Sequence, residues 1–286
     1  MKRLIVTADD AGLHPGMTAG VLAAHSAGIV TAVSVSANGR DFEDTVARLR
    51  ERPDLDVGIH LTLVGERPLS PPEQVRSLLG GDGRLLPAWP AFARRWLLGA
   101  VRRPEAEGEL RRQIERLLAT GLPVIHLNAH QHLHVLPGLF EIVLRLAEEH
   151  RISWVRIPAE PAAALPASPR ALQIALLNAL GRRARRRLRP EGRVETADRT
   201  IGVLTAGHLT AGSFGRALAQ AGEISELVCH PGLGDAALDA AYDWGYAWEA
   251  ETAALCDPRL PDLLRSAGIE LTSFSRLNKI PRRPSN

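Results

Sequence analysis

The chain has 286 residues, 45% hydrophobic and 23% charged, the proportions of a globular protein with a sizeable core rather than of a disordered or fibrous one. Its two cysteines, Cys229 and Cys256, exclude a disulfide framework and an all-thiolate zinc site, and no run reaches the roughly 18 apolar residues of a membrane span. The formal charge is +3 and the pI about 9.3, but the excess is local: Gly181 to Arg193 holds seven arginines against one acid, Glu191, with no interleaved aromatics to stack bases, which disfavours nucleic acid.

The segment Met1 to Asp9 is an apolar run broken at once by acids, a strand and not a signal peptide. Together with the cysteine count it points to a soluble, cytoplasmic protein. The arginine run reads either as a solvated helix end or as a peripheral contact with an anionic membrane face. The first strand, Arg3 to Ala8, empties into Asp9-Asp10-Ala11-Gly12. Adjacent carboxylates repel unless a cation or shared proton relieves them, and capping the helix from Pro15 to Gly28 accounts for only one. Thr31–Val35 alternates as a second strand before a helix from Asp41 to Arg50, and Asp56–Leu63 is a third strand with one ligand-capable side chain, His60.

Residues 64–90 are rich in Gly and Pro and read as a long loop, a partial lid; Ala91 to Thr120 reads as a helical crossover. Val124-Ile125-His126-Leu127-Asn128-Ala129-His130-Gln131-His132-Leu133-His134 then runs from a buried strand into a cluster holding four of the ten histidines. A helix over Leu136–His150 and a strand over Ser153–Ile157 follow, then an irregular proline-rich stretch from Pro158 to Pro169 and a helix from Arg170 to Arg187. Strands at Thr200–Leu204 and Glu226–Cys229 flank a helix at Ala211–Gln220, and the second ends in His230-Pro231-Gly232. Asp239–Glu251 carries Tyr242, Trp244, Tyr246 and Trp248, aromatics that either pack a loop or line a sugar site. A helix over Pro258–Ala267 and a strand over Ile269–Ser273 close a single catalytic domain of residues 1–277, with 278–286 a flexible tail.

Strands and helices interleave with no hairpin signature, which predicts an α/β fold with a barrel-like, possibly irregular parallel sheet of about seven to eight strands; a doubly wound open sheet is the alternative. In the barrel, Asp9, Asp10, His60, His130, His132 and His230 all stand at C-terminal strand ends and meet at one rim. One carboxylate and two imidazoles, Asp10, His60 and His130, suit one divalent metal ion, zinc or magnesium, with positions left for water and substrate. Asp9 is then placed to orient or deprotonate water, His230 to protonate a leaving group, and His132 and Arg156 to touch substrate. No G-x-S-x-G elbow and no phosphate-binding glycine loop is present.

At these residues the sequence resembles the YdjC/ChbG carbohydrate deacetylases, through Val6–Leu13, Val57–Leu61, His126–His134 and Cys229–Gly232 in matching order from residue 4 to about 273. Asn128-Ala129 and the segment 155–161 resemble its hopanoid-associated HpnK branch. Two positions depart: Ala11 stands where an aromatic is usual, and Asn128 where the chito-oligosaccharide branch has an acid. The resemblance implies a metal-dependent deacetylase on a barrel-like fold, acting on an N-acetylated sugar, carried on a hopanoid lipid or free as a chito-oligosaccharide. It supports Asp10, His60 and His130 as metal ligands and Asp9 as base. A metal-dependent phosphoesterase and a non-catalytic binding protein remain the competing classes, and a homodimer stays open.

Overall fold

The computed structural model describes residues 2–160, 169–189, 192–234 and 236–279. Its elements, in chain order, are β1 (Lys2–Ala11), α1 (Pro15–Ser26), β2 (Ala32–Val35), α2 (Phe42–Arg50), β3 (Asp56–Leu61), α3 (Trp89–Leu97), α4 (Arg103–Leu118), β4 (Val124–Ala129), α5 (Leu139–Glu149), β5 (Trp154–Val155), α6 (Pro169–Arg185), β6 (Arg199–Ile201), α7 (Ala211–Ala219), β7 (Ile224–Cys229), α8 (Ala236–Ala241), α9 (Trp248–Leu255), α10 (Leu260–Ser266), β8 (Ile269–Leu271) and α11 (Phe274–Asn278). The strands form one eight-stranded sheet, ordered β5-β4-β3-β2-β1-β7-β6 with β8 paired to the start of β1, and every pairing is parallel. This is the expected barrel-like sheet, curled into a half-barrel. A parallel bridge between Trp154 and Glu195 brings the chain entering β6 against the opposite edge strand, β5.

Strands covered on both faces cannot afford alternation, and β1 is buried from Leu4 through Ala11 while β3 is buried throughout. Two close approaches require glycine. A Cβ on Gly58 would lie 2.3 Å from Nε2 of His126, whose ring lies against β3, and a Cβ on Gly39 would lie 2.0 Å from the carbonyl oxygen of Gly12. The second contact lets the loops after β1 and β2 pass tightly at the C-terminal edge of the sheet.

The helical crossover expected over Ala91–Thr120 is made of two helices, α3 and α4, because Gly99 adopts φ +72° and Pro104 sits in the first turn of α4, where its missing N–H costs nothing. Of residues 64–90, expected as a partial lid, Trp89 lines a cavity and donates its backbone N–H to Gln131 Oε1, while the loop after β3 that precedes it is fastened elsewhere. That loop wraps onto α4, where the buried Glu109 carboxylate accepts from the amides of Leu69 (3.0 Å) and Ser70 (2.9 Å), and it buries Val75, Leu78 and Leu85. At the C-terminus α11 follows the last strand, and Trp154 donates its indole N–H to Asn278 at 2.8 Å. The tail expected from residue 278 falls outside the described residues from 280 onward, as does 161–168 of the proline-rich stretch. Among the described residues no helix is long and apolar enough to cross a membrane.

Candidate active site

In an unbroken strand Asp9 and Asp10 would point to opposite faces. Here the β1–β2 register slips between Ala8 and Ala11, and Asp10 takes φ 66°, so the bulge turns both carboxylates to the same rim. After β4 the chain does something similar: Gln131 and His132 both adopt left-handed backbone (φ 51° and 53°) inside the turn His130–Val135, aiming His130 and His132 at the sheet edge. Such residues cost about 1–3 kcal/mol each, and their concentration at one rim marks a built site.

Three donor atoms converge there. Asp10 Oδ1 lies 3.1 Å from His60 Nε2 and 2.9 Å from His130 Nδ1, and the two ring nitrogens are 3.4 Å apart. Ligand bonds of about 2.0–2.2 Å to one ion place donor atoms roughly 3 Å from each other, so the trio has the spacing a divalent metal requires. Among the described residues it is the group of acids, histidines and cysteines that meets this condition.

The protonation state of His60 is dictated by its neighbours. Buried Arg156 forks onto Asp9 (Nη2 to Oδ1, 3.0 Å) and also donates to Glu226 through Nε (2.9 Å) and Nη2 (2.8 Å). Burial alone would raise the Asp9 pKa, but the guanidinium and then His60 hold it well below the usual carboxylate range. An ionised carboxylate only accepts, so Asn128 must turn its Nδ2 toward Asp9 Oδ1 (3.0 Å), and the same amide nitrogen donates to Ser34 (2.8 Å). That leaves Asn128 Oδ1 facing His60 Nδ1 at 2.6 Å, which fixes the ring proton on Nδ1 and frees the Nε2 lone pair for the ion. Burial opposes charge on His60, yet the two aspartates raise its pKa; burial likewise opposes charge on Asp10, and His130 and His60 hold it well below the ordinary value.

Asp9, Asp10, His60, His130, His132 and His230 line one cavity of about 540 Å³. His230, buried to 8% exposure, has its backbone N–H held by Glu251 Oε1 at 2.6 Å and its ring 5.2 Å from Tyr246; its Nδ1 has no partner among the described residues. His132 is half-buried, with Nδ1 lacking a partner among the described residues, and burial followed by the Arg156 charge keeps it neutral. Trp244, 5.0 Å from His130, and Tyr246 close the aromatic side. Both line the cavity and also pack against the apolar cluster that holds the buried Trp248.

Arg156 departs from its expected contact with substrate. It is 3% exposed behind Asp9, saturated by two carboxylates, and absent from the cavity wall. His126 and His134 of the histidine cluster are likewise core residues. Burial first, then the Arg156 charge, pushes His126 down to about 3, and burial pushes His134 down to about 4. His126 stacks on Phe274 at 4.4 Å, and His134 bonds the Arg156 carbonyl at 2.7 Å. The sequence reading missed the linking role of Asn128 and the parts played by Ser34, Glu226 and Glu251. Register would have exposed the first, since His60 and Asn128 are paired neighbours on β3 and β4.

A family model described as YdjC-like protein matches residues 3–266. A carbohydrate deacetylase of Brevibacillus brevis is 41% identical over 156 residues, 54% of this chain and 59% of that protein. A carbohydrate deacetylase of Geobacillus stearothermophilus is 30% identical over 280 residues, 96% of this chain and 98% of that protein. A crystal structure from Enterococcus faecalis V583 superimposes with a TM-score of 0.75 at 23% identity, over 96% of this chain and 98% of that one, a likeness of fold.

Proposed function

The chain belongs to the YdjC-like family of carbohydrate deacetylases, and from that premise we propose that it removes the N-acetyl group of an amino sugar with one divalent metal ion held by Asp10, His60 and His130. The observation that carries this reading is the meeting of those three donor atoms with Asp9 and His230 on the wall of one cavity. A bound divalent ion supplies Lewis acidity toward the acetyl carbonyl and toward water.

The residues of the chain divide the remaining work. Asp9, kept anionic by Arg156, accepts hydrogen bonds from water, orients it toward the acetyl carbon and takes its proton as the new C–O bond forms. His230 delivers a proton to the amide nitrogen, so that the C–N bond breaks to acetate and a free amine. Trp244 and Tyr246 offer flat faces to the C–H side of a sugar ring, and His132 lies on the same wall for a polar contact.

The finer reading of the substrate is an N-acetylglucosamine carried on a hopanoid lipid, supported by the likeness of Asn128-Ala129 and 155–161 to that branch and by the apolar part of the cavity wall. A soluble chito-oligosaccharide is the alternative that the aromatic wall also suits. Acetate and phosphate release from both kinds of glycoside and from sugar phosphates, with and without chelator, test the proposal. Chelator-sensitive acetate release is expected; phosphate release, or acetate release indifferent to chelator, would overturn it.

A further inference from the structure

The polar rim occupies only part of the cavity. The rest of its wall comes from α3, the chain entering α5, and α6, through Trp89, Ala93, Leu97, Leu136, Ile174 and Leu177. A soluble saccharide, rich in hydroxyl groups, gains little from burying its polar edges against such a wall.

Helices α3 and α6 also carry most of the exposed large apolar side chains among the described residues. Of seven large hydrophobic side chains left exposed among the described residues, five are Trp89, Leu97 and Leu98 on α3 and its cap, and Leu172 and Leu176 on α6. Leu97 and Leu98 are 66% and 73% exposed, Leu172 and Leu176 74% and 52%. Because Leu97 and Leu176 also line the cavity, the exposed patch is continuous with its interior. Leu172 and Leu176 are four residues apart, on one face of α6.

Charge points the same way. Neither α3 nor α6 contains an acidic residue, although the chain has 32, whereas α3 contributes Arg94 and Arg95 and α6 contributes Arg170, Arg182, Arg183 and Arg185. Arg94, Arg182 and Arg183 are exposed. Exposed leucines on helices that carry arginines and no acid match an anionic lipid surface, where basic groups meet headgroups and apolar groups enter the acyl boundary.

We propose that α3 and α6 form a lipid-docking port, in which Leu97, Leu98, Leu172 and Leu176 settle into an anionic bilayer and open the catalytic cavity onto it. The port rests on the deacetylase reading only for what happens to a substrate once inside; docking is read without turnover. The probe is vesicles of phosphatidylcholine with or without phosphatidylglycerol, and the variant is Leu98→Glu/Leu172→Glu, at two positions that do not line the cavity. The wild-type protein should float with the anionic vesicles and the variant at least ten-fold less, both releasing acetate equally from a soluble N-acetyl amino sugar and melting at the same temperature. Equal flotation of the two, or a wild type that does not float, would overturn the port. So would a wild-type dimer in gel filtration that does not float and that the double substitution dissociates, which assigns the leucines to a second copy. Flotation as expected without acetate release from any sugar would instead sink the deacetylase reading and leave the port standing.

Discussion

Replacing Arg156 with Met keeps much of the side-chain bulk and removes the charge that Asp9 and Glu226 share. All three groups are at most 3% exposed, so neither carboxylate can recover the lost partner from solvent. Breaking a buried pair by removing one member costs about 3–5 kcal/mol, a large share of a total stability of about 5–15 kcal/mol. The pH dependence identifies the cause. In the wild type the Asp9 pKa lies below its unfolded value of about 3.9, so its ion pair stabilises the fold above that pH and the contribution fades as pH falls toward the depressed folded value. Without the guanidinium, burial raises the Asp9 pKa, and the sign reverses: the variant loses stability as pH rises past about 3.9. Urea unfolding of the two proteins should therefore show a gap of several kcal/mol at pH 8 that narrows steadily toward pH 4.5. A gap of the same size at both pH values would refute the electrostatic account and leave lost packing as the reason.

Asp9→Asn and His230→Ala should each retain metal while turnover falls by about 10²–10⁴-fold, read as acetate release beside metal content; near-normal rates in both would move the proton-transfer roles to His132 or another group. Asn128→Leu, which removes the partner that holds the His60 proton on Nδ1, should weaken metal binding or activity by about 10–100-fold in a chelator competition, and unchanged affinity would count against that linkage. His126 is pushed down to about 3 in the folded protein, against about 6.5 unfolded, so its neutral form stabilises the fold above pH 6.5 and that contribution is lost as pH falls toward 3. His126→Gln should accordingly flatten the acid limb of the stability curve between pH 6 and 4, and an unaltered limb would assign it to other groups.

Much of the site was legible because its donors sit at strand ends: once Asp9-Asp10, His60, His130 and His230 follow apolar runs in a parallel sheet, topology alone gathers them at one rim. What the sequence could not reveal is which way individual side chains turn. The bulge that brings Asp9 and Asp10 to the same rim, and the left-handed pair Gln131-His132, depend on backbone angles with no composition signal. His126 and His134 look identical to His130 and His132 until the core closes around them, and Arg156 looks like a substrate contact until Asp9 and Glu226 are seen to saturate it. The loop after β3 misled for a related reason, since Gly and Pro mark irregular backbone but do not say that Glu109 fastens it to α4. Exposed leucines on α3 and α6 carry no signal in a chain whose hydrophobic fraction is ordinary.

The metal content of purified protein, measured by elemental analysis beside the His60→Ala, Asp10→Asn and His130→Ala variants, tests the central claim most directly. One divalent ion per chain in the wild type, falling to a small fraction in each variant together with acetate release, is the predicted result. Full occupancy in the His60→Ala protein, or a wild type that hydrolyses its amide substrate at an undiminished rate after the ion has been stripped, would contradict it.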